Sequence, residues 1–378
     1  MKTMDDAIVA RIHASGRRVA LAITGGGSGV IAWLLRAPGG SRTLVEAVVP
    51  YTADAIVDFL GHAPEQACSV ETAVAMARRA LASAERRSER NAAVIGVGVT
   101  ASLATDRPKR GAHRCHIAVT DGGVIDAVSI TLDKGARDRA GEEDLVARAT
   151  LLVLAAACGV QAAGVDSLLG PNDRASIASV SDPVAALLAG AVERLTVRPD
   201  GQLQTAAPVP RGVLAGSFNP LHAGHLELAR IASEIVGVPV AFELSVTNAD
   251  KPPLRASDVR RRLEQFDGLG TVELTRAPTF REKARVLPGV TFVVGVDTAE
   301  RIVEPRYYDG TSAGVVAALS DIGGRGCRFL VAGRVDGRGR FVTLADVAVP
   351  QPVAHLFDQI PEARFRRDVS STGLRSAR

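Results

Sequence analysis

Two histidines three residues apart, His222 and His225, close the segment Gly216-Ser217-Phe218-Asn219-Pro220-Leu221-His222-Ala223-Gly224-His225. If a helix begins near His222, both imidazoles leave one face of its first turn, where unpaired backbone N–H groups and the helix dipole favour an anion. Two imidazole donors at that position suit a polyphosphate. Gly216 and Gly224 let backbone approach phosphates closely, and Pro220 fixes the loop ahead of the helix. The plainer alternative is a pair of exposed or capping histidines. The two glycines, Asn219-Pro220 and the paired imidazoles together favour ligand chemistry. Asn248, Asp250 and Lys251 follow an apolar run, at the edge where a parallel sheet carries its ligands. Lys251 suits either the phosphate of a second substrate or an ordinary surface position beside a turn.

The elements that hold these groups are legible as alternating periodicities. An apolar run over 212–215 feeds the Gly216 loop, and the stretch 224–236 keeps Leu228, Ala232 and Ile235 on one helical face. Strands over 238–246, 291–296 and 327–333, with a helix over 257–266, predict a parallel, doubly wound, Rossmann-like sheet. In the first half, a strand over 18–24 runs into a glycine turn at 25–29 and a helix from 30 to 35. A strand at 44–49, a helix at 70–86, a strand at 93–99, a hairpin around Asp121-Gly122-Gly123 and a helix at 142–157 complete an α/β layered domain over 1–165. Residues 166–210 read as a connecting segment with one amphipathic helix over 182–195 and a Pro-containing linker, and the second domain spans 211–378.

A chain of 378 residues implies two domains at about 150 residues each. With 47% hydrophobic and 23% charged residues, global disorder and a fibrous repeat are excluded. The excess of 45 Lys and Arg over 41 Asp and Glu is only +4, too thin for a nucleic-acid footprint. Cys68, Cys115, Cys158 and Cys327 stand far apart, so neither a disulfide framework nor a zinc knuckle is expected. No signal-peptide core and no uninterrupted run of about 20 apolar residues is present. The expectation is a soluble cytoplasmic protein without nucleic-acid or membrane partners, with homo-oligomer formation left open.

The His222–His225 segment resembles the nucleotidyltransferase superfamily with the H-x-G-H signature, and more narrowly the nicotinate- or nicotinamide-mononucleotide adenylyltransferases. The resemblance covers 211–378 and includes a late Ser-Ser-Thr-x-x-Arg motif, present as Ser370, Ser371, Thr372 and Arg375. Three hydroxyl residues opening a helix can cap it and bond phosphate oxygens, and an Arg one turn later offers a guanidinium fork to the same anion. By the same resemblance Gly295 and Asp297 contact the nucleotide ribose, and Tyr307 lies where an aromatic stacks on the pyridine ring. The implied reaction is attack of a pyridine mononucleotide on the α-phosphorus of ATP with release of pyrophosphate, as in NAD biosynthesis or salvage. His222, His225, Lys251 and Arg375 would stabilise developing charge, with Mg²⁺ bound mainly through substrate phosphates and no metal-ligand residues in the chain. Gly216, Ser217, Phe218, Asn219, Gly224 and Asn248 would line the nucleotide site. A cytidylyltransferase acting on a phosphorylated small alcohol and a non-catalytic nucleotide-binding regulator are the alternatives.

The first domain resembles the C-terminal domain of the competence-damage-inducible CinA family, some members of which deamidate nicotinamide mononucleotide. The family's Ala-Glu-Ser-Cys-Thr-Gly-Gly turn falls on Ala22 to Ser28, which places its nucleophilic serine on Thr24. Tyr51 and Arg148 match a family tyrosine and arginine, but the expected lysine falls on Ile56. Loss of that lysine removes the group that activates a hydroxyl nucleophile, so the resemblance implies a degenerate sensor or scaffold. The glycine turn at 25–29, with Ser28, opens a helix whose first N–H groups suit a phosphate-bearing ligand, or is simply a tight turn.

Overall fold

The computed structural model describes residues 4–89, 91–107, 110–249, 252–336 and 339–366, and the chain divides into unit 1, Met1–Ala185, and unit 2, Ala186–Arg378. Lys251, Ser370, Ser371, Thr372 and Arg375 lie outside the described residues.

Unit 1 is built on six strands, β1 (Arg18–Thr24), β2 (Leu44–Val48), β3 (Val94–Ser102), β4 (His113–Thr120), β5 (Val124–Leu132) and β6 (Arg174–Ser181), in the order β2-β1-β3-β4-β5-β6. β1 runs parallel to β2 and β3, and the rest of the sheet is antiparallel. Gly96 and Gly98 explain how closely helix Val70–Arg87 lies on one face. A Cβ at either position would come within 2.1 Å of a carbonyl oxygen of that helix. On the other face Val19, Leu21, Ile23, Val97 and Val99 pack with Leu145, Val146 and Leu152 of helix Arg139–Ala157. From Ala149 to Ala155 that helix is buried on every side, and its residues there are apolar apart from Thr150.

Unit 2 carries β7 (Arg194–Val197), β8 (Leu203–Gln204), β9 (Gly212–Ala215), β10 (Ala241–Ser245), β11 (Val272–Thr275), β12 (Thr291–Gly295), β13 (Arg328–Ala332) and β16 (Phe357–Ile360) in one sheet, ordered β16-β13-β12-β9-β10-β11-β7-β8. Strands β14 (Arg334–Val335) and β15 (Phe341–Val342) form a separate ribbon. The pairings from β16 to β11 are all parallel. Read in chain order from β9, these six strands follow the doubly wound pattern, with the reversal of direction between β9 and β12.

Two sequence expectations change. The sheet of unit 2 is mixed rather than purely parallel, because β7 adds antiparallel to β11 and β8 to β7. Residues 166–210 are not a mere connector, since they supply β6, β7 and β8. The helix expected over 182–195 covers only Pro183–Ala189. It stops at Gly190, whose φ of +81° ends the helical path before β7 begins. β7 is fixed by charge as well as by its ladder. The Thr196 hydroxyl donates to the Glu273 carboxylate at 2.8 Å, and Arg194 lies 3.7 Å from it. Glu243, in register with Glu273, accepts from Thr275 at 2.6 Å and pairs with Lys283. These carboxylates are fully buried, which is tolerable only with such partners.

Candidate functional site

β9 ends at Ala215, and the Gly216 N–H donates to the Glu243 carbonyl at 3.0 Å, carrying the chain to the C-terminal edge of the sheet. There it turns sharply inward. Phe218 sits at a φ of +43° with its ring fully buried, edge-on to His225 at 5.1 Å, to Phe266 at 5.2 Å and to Phe242 at 5.5 Å. Such a backbone angle is unusual outside glycine, and the aromatic cluster compensates for it. Gly216 is glycine for a related reason, since a Cβ there would lie 2.8 Å from the Phe218 ring. Helix Ala256–Leu263 and the turn after it hold the loop from outside. Arg262 donates to the Ser217 carbonyl at 2.8 Å, and Gln265 donates to the Phe218 carbonyl at 3.1 Å while accepting from the Leu221 N–H at 2.8 Å.

Helix Ala223–Val236 begins immediately after His222, its N-cap. The His222 N–H donates to His225 Nδ1 at 3.3 Å, and the two rings stack with centroids 3.7 Å apart. An imidazole whose Nδ1 accepts must carry its proton on Nε2, so His225 is held as a neutral donor through Nε2. Burial, and secondarily the neighbouring His222, lowers its pKa to about 4, and burial also lowers that of His222. Both are therefore neutral hydrogen-bond donors near pH 7 rather than cations. Gly224 leaves room for this stack, since an added Cβ would lie 3.1 Å from the His222 ring.

Gly295 ends β12 and caps helix Val296–Ile302, so its loop stands beside the β9 loop where the strand order reverses. Asp297 is half-exposed there and pairs with Arg334 at 2.8 Å. The Tyr307 hydroxyl accepts from Arg306 at 2.8 Å and from Arg301 at 3.1 Å, and the Arg306 guanidinium lies 4.7 Å from the ring centroid. A flat ligand stacking on that ring face would have to displace Arg306. Asn248 is exposed just beyond β10. The site thus gathers Gly216, Ser217, Phe218, Asn219, His222, Gly224 and His225 on one loop and helix start. Arg262 and Gln265 were missed by sequence reading because a polar pair spaced i, i+3 resembles any solvated helix face.

In unit 1 the Gly27 and Gly29 N–H groups of the glycine turn are engaged internally, by the Glu143 carboxylate. It accepts from Gly27 N–H at 2.8 Å, Ser28 hydroxyl at 3.0 Å and Gly29 N–H at 3.4 Å. Arg139 bonds the Gly25 carbonyl at 2.9 Å from the same helix. The preceding residue, Glu142, is buried and joins His113 Nδ1 and the Ala104 N–H, each at 2.6 Å. Thr24, the aligned nucleophile position, is buried at the end of β1, whereas Tyr51 is exposed beyond β2. Arg148 pairs with Asp144 and Asp5 at 3.2 and 3.7 Å. We expect Glu143→Ala to destabilise the protein by about 1 kcal/mol, the low end for orphaned donors because Glu143 is partly exposed and water substitutes. A shifted urea midpoint at constant slope is the check, and an unchanged midpoint would show that the turn does not need its internal anion.

No protein-family model and no curated protein sequence matches the chain. Solved structures do resemble it. The competence/damage-inducible protein CihA from Agrobacterium tumefaciens is 23% identical, over 42% of this chain and 98% of that one, with a TM-score of 0.35. A CinA superfamily protein from Escherichia coli is 21% identical over 40% of this chain and 84% of its own, with a TM-score of 0.31. A competence or damage-inducible protein from Enterobacter asburiae is 17% identical over 42% of this chain and 98% of its own, with a TM-score of 0.33. At these values the likeness assigns neither a family nor an activity. The comparisons lend no support to the nucleotidyltransferase resemblance of 211–378, which rests on its motifs. Among the described residues no helix is long and apolar enough to cross a membrane.

Proposed function

We propose that unit 2 is a nucleotidyltransferase that moves AMP from ATP to a pyridine mononucleotide and releases pyrophosphate. The observation that carries this reading is the placement of His222 and His225, as neutral donors on a helix N-terminus, beside the reversal point of a doubly wound sheet. In this reading the triphosphate lies across the start of helix Ala223–Val236. Its bridging and non-bridging oxygens receive the His225 Nε2–H and the free backbone N–H groups as charge develops on the departing pyrophosphate. Phe218 and Gly216 hold that donor in place, and the Gly295 loop orients the nucleoside. The mononucleotide phosphate is itself the nucleophile, so no covalent enzyme intermediate is required.

Among the described residues no three His, Cys, Asp or Glu side chains come together as a metal site. In this reading Mg²⁺ would be bound mainly through the substrate phosphates, where it would neutralise triphosphate charge. For unit 1 we propose a scaffold rather than a deamidase, because Ile56 replaces the expected lysine and Glu143 fills the glycine turn. Incubation of the full chain with Mg²⁺, each nucleoside triphosphate and a panel of mononucleotides, followed by pyrophosphate release, tests the main reading. Release from ATP with a pyridine mononucleotide is the expected result. Release from CTP with a phosphorylated alcohol would replace it with the cytidylyltransferase alternative, and no release with any pair would leave a nucleotide-binding regulator.

A further inference from the structure

We propose that unit 2 holds an anion site that shares no lining residue with the His222 loop, a cavity of about 350 Å³ that takes a phosphate monoester through Arg276, Arg285 and the Thr247 hydroxyl. The cavity opens where β10 and β11 end, at the edge from which a doubly wound sheet presents ligands. Its volume is that of a small-molecule site. Thr247 contributes a buried Oγ1 that has no hydrogen-bond partner among the described residues, a condition that buried hydroxyls rarely tolerate unless a ligand or solvent completes them.

The two guanidiniums are available in the same sense. Neither Arg276 nor Arg285 makes a side-chain ion pair or hydrogen bond among the described residues. Their neighbours Arg281 and Arg325, which line an adjoining depression, both pair with Asp321, at 2.9 and 3.3 Å. The position of Arg276 is built in by the fold. Its guanidinium lies across Gly190, where an added Cβ would come within 1.9 Å of a terminal nitrogen. Of the two lining carboxylates, Glu282 is engaged by the Thr279 N–H and hydroxyl, at 3.0 and 2.7 Å. Glu193 remains as an acceptor, which suits a monoester whose organic part carries a hydroxyl rather than a bare inorganic anion. Two guanidinium forks and a hydroxyl match three phosphate oxygens.

The test is calorimetric titration of the full chain with glycerol 3-phosphate, repeated with inorganic phosphate. It is also repeated with a non-hydrolysable ATP analogue in excess, which occupies the proposed nucleotide site, so that only binding elsewhere is read. Saturable binding is expected, tighter for glycerol 3-phosphate, and weakened at least tenfold by Arg276→Gln/Arg285→Gln and several-fold by Thr247→Val. Both arginines are exposed, Gln replaces them with a shorter neutral polar side chain, and Thr247→Val is nearly isosteric, so the folded chain remains testable. Binding that is absent, or equally strong in all these variants, would overturn the proposal without touching the adenylyltransferase reading.

Discussion

Replacing His225 with alanine is expected to lower turnover by about 10²-fold or more while leaving substrate affinity nearly unchanged, because a donor aimed at developing charge acts mainly in the transition state. The structure sharpens this beyond loss of an imidazole. His225 accepts the His222 N–H through Nδ1, so alanine removes both the Nε2 donor and the clamp on the helix start. The pH dependence follows from the lowered pKa. Above an ordinary imidazole value of 6.5 the ring is neutral in folded and unfolded chains alike. Between 6.5 and about 4 the unfolded chain binds the proton while the folded one resists it. Stability associated with His225 is thus complete above 6.5 and declines as pH falls towards 4. Turnover should show no titration from this residue between about pH 6 and 9. Steady-state assays of pyrophosphate release across pH check both points, and a basic limb that disappears in His225→Ala would mean that the residue works as a cation.

Phe218→Ala should have the largest effect on stability, about 3–5 kcal/mol, because a fully buried aromatic is removed from a cluster with Phe242, Phe266 and His225. The same substitution should abolish most turnover, since the ring is the wall against which His225 is positioned. Phe218→Leu separates the effects. It restores much of the buried apolar volume, so stability should recover further than turnover does. Chemical denaturation of the full chain, with the same assay, distinguishes the two. Equal recovery of both would assign Phe218 a packing role alone.

What the chain determines locally was legible without coordinates. The start of the helix at Ala223 follows from the glycines, Pro220 and the period of Leu228 and Ala232, all within one turn or two of each other. The strand–glycine–helix beginning of unit 1 was equally readable, because β1 is continuously apolar and Gly25 and Gly27 take positive φ. The tertiary structure decided matters that depend on residues far apart in sequence. Glu143 reads as an ordinary acidic residue near a helix N-terminus, and only closure of the sheet brings it onto a turn 114 to 116 residues away. β7 and β8, four and two residues long, are too short for a period to show, and they become strands because β11 offers β7 an edge and β7 in turn offers one to β8. The charge state of the paired histidines was likewise beyond the sequence. Spacing placed them on one turn, but it is desolvation that lowers both pKa values, and desolvation belongs to the packed loop rather than to the motif.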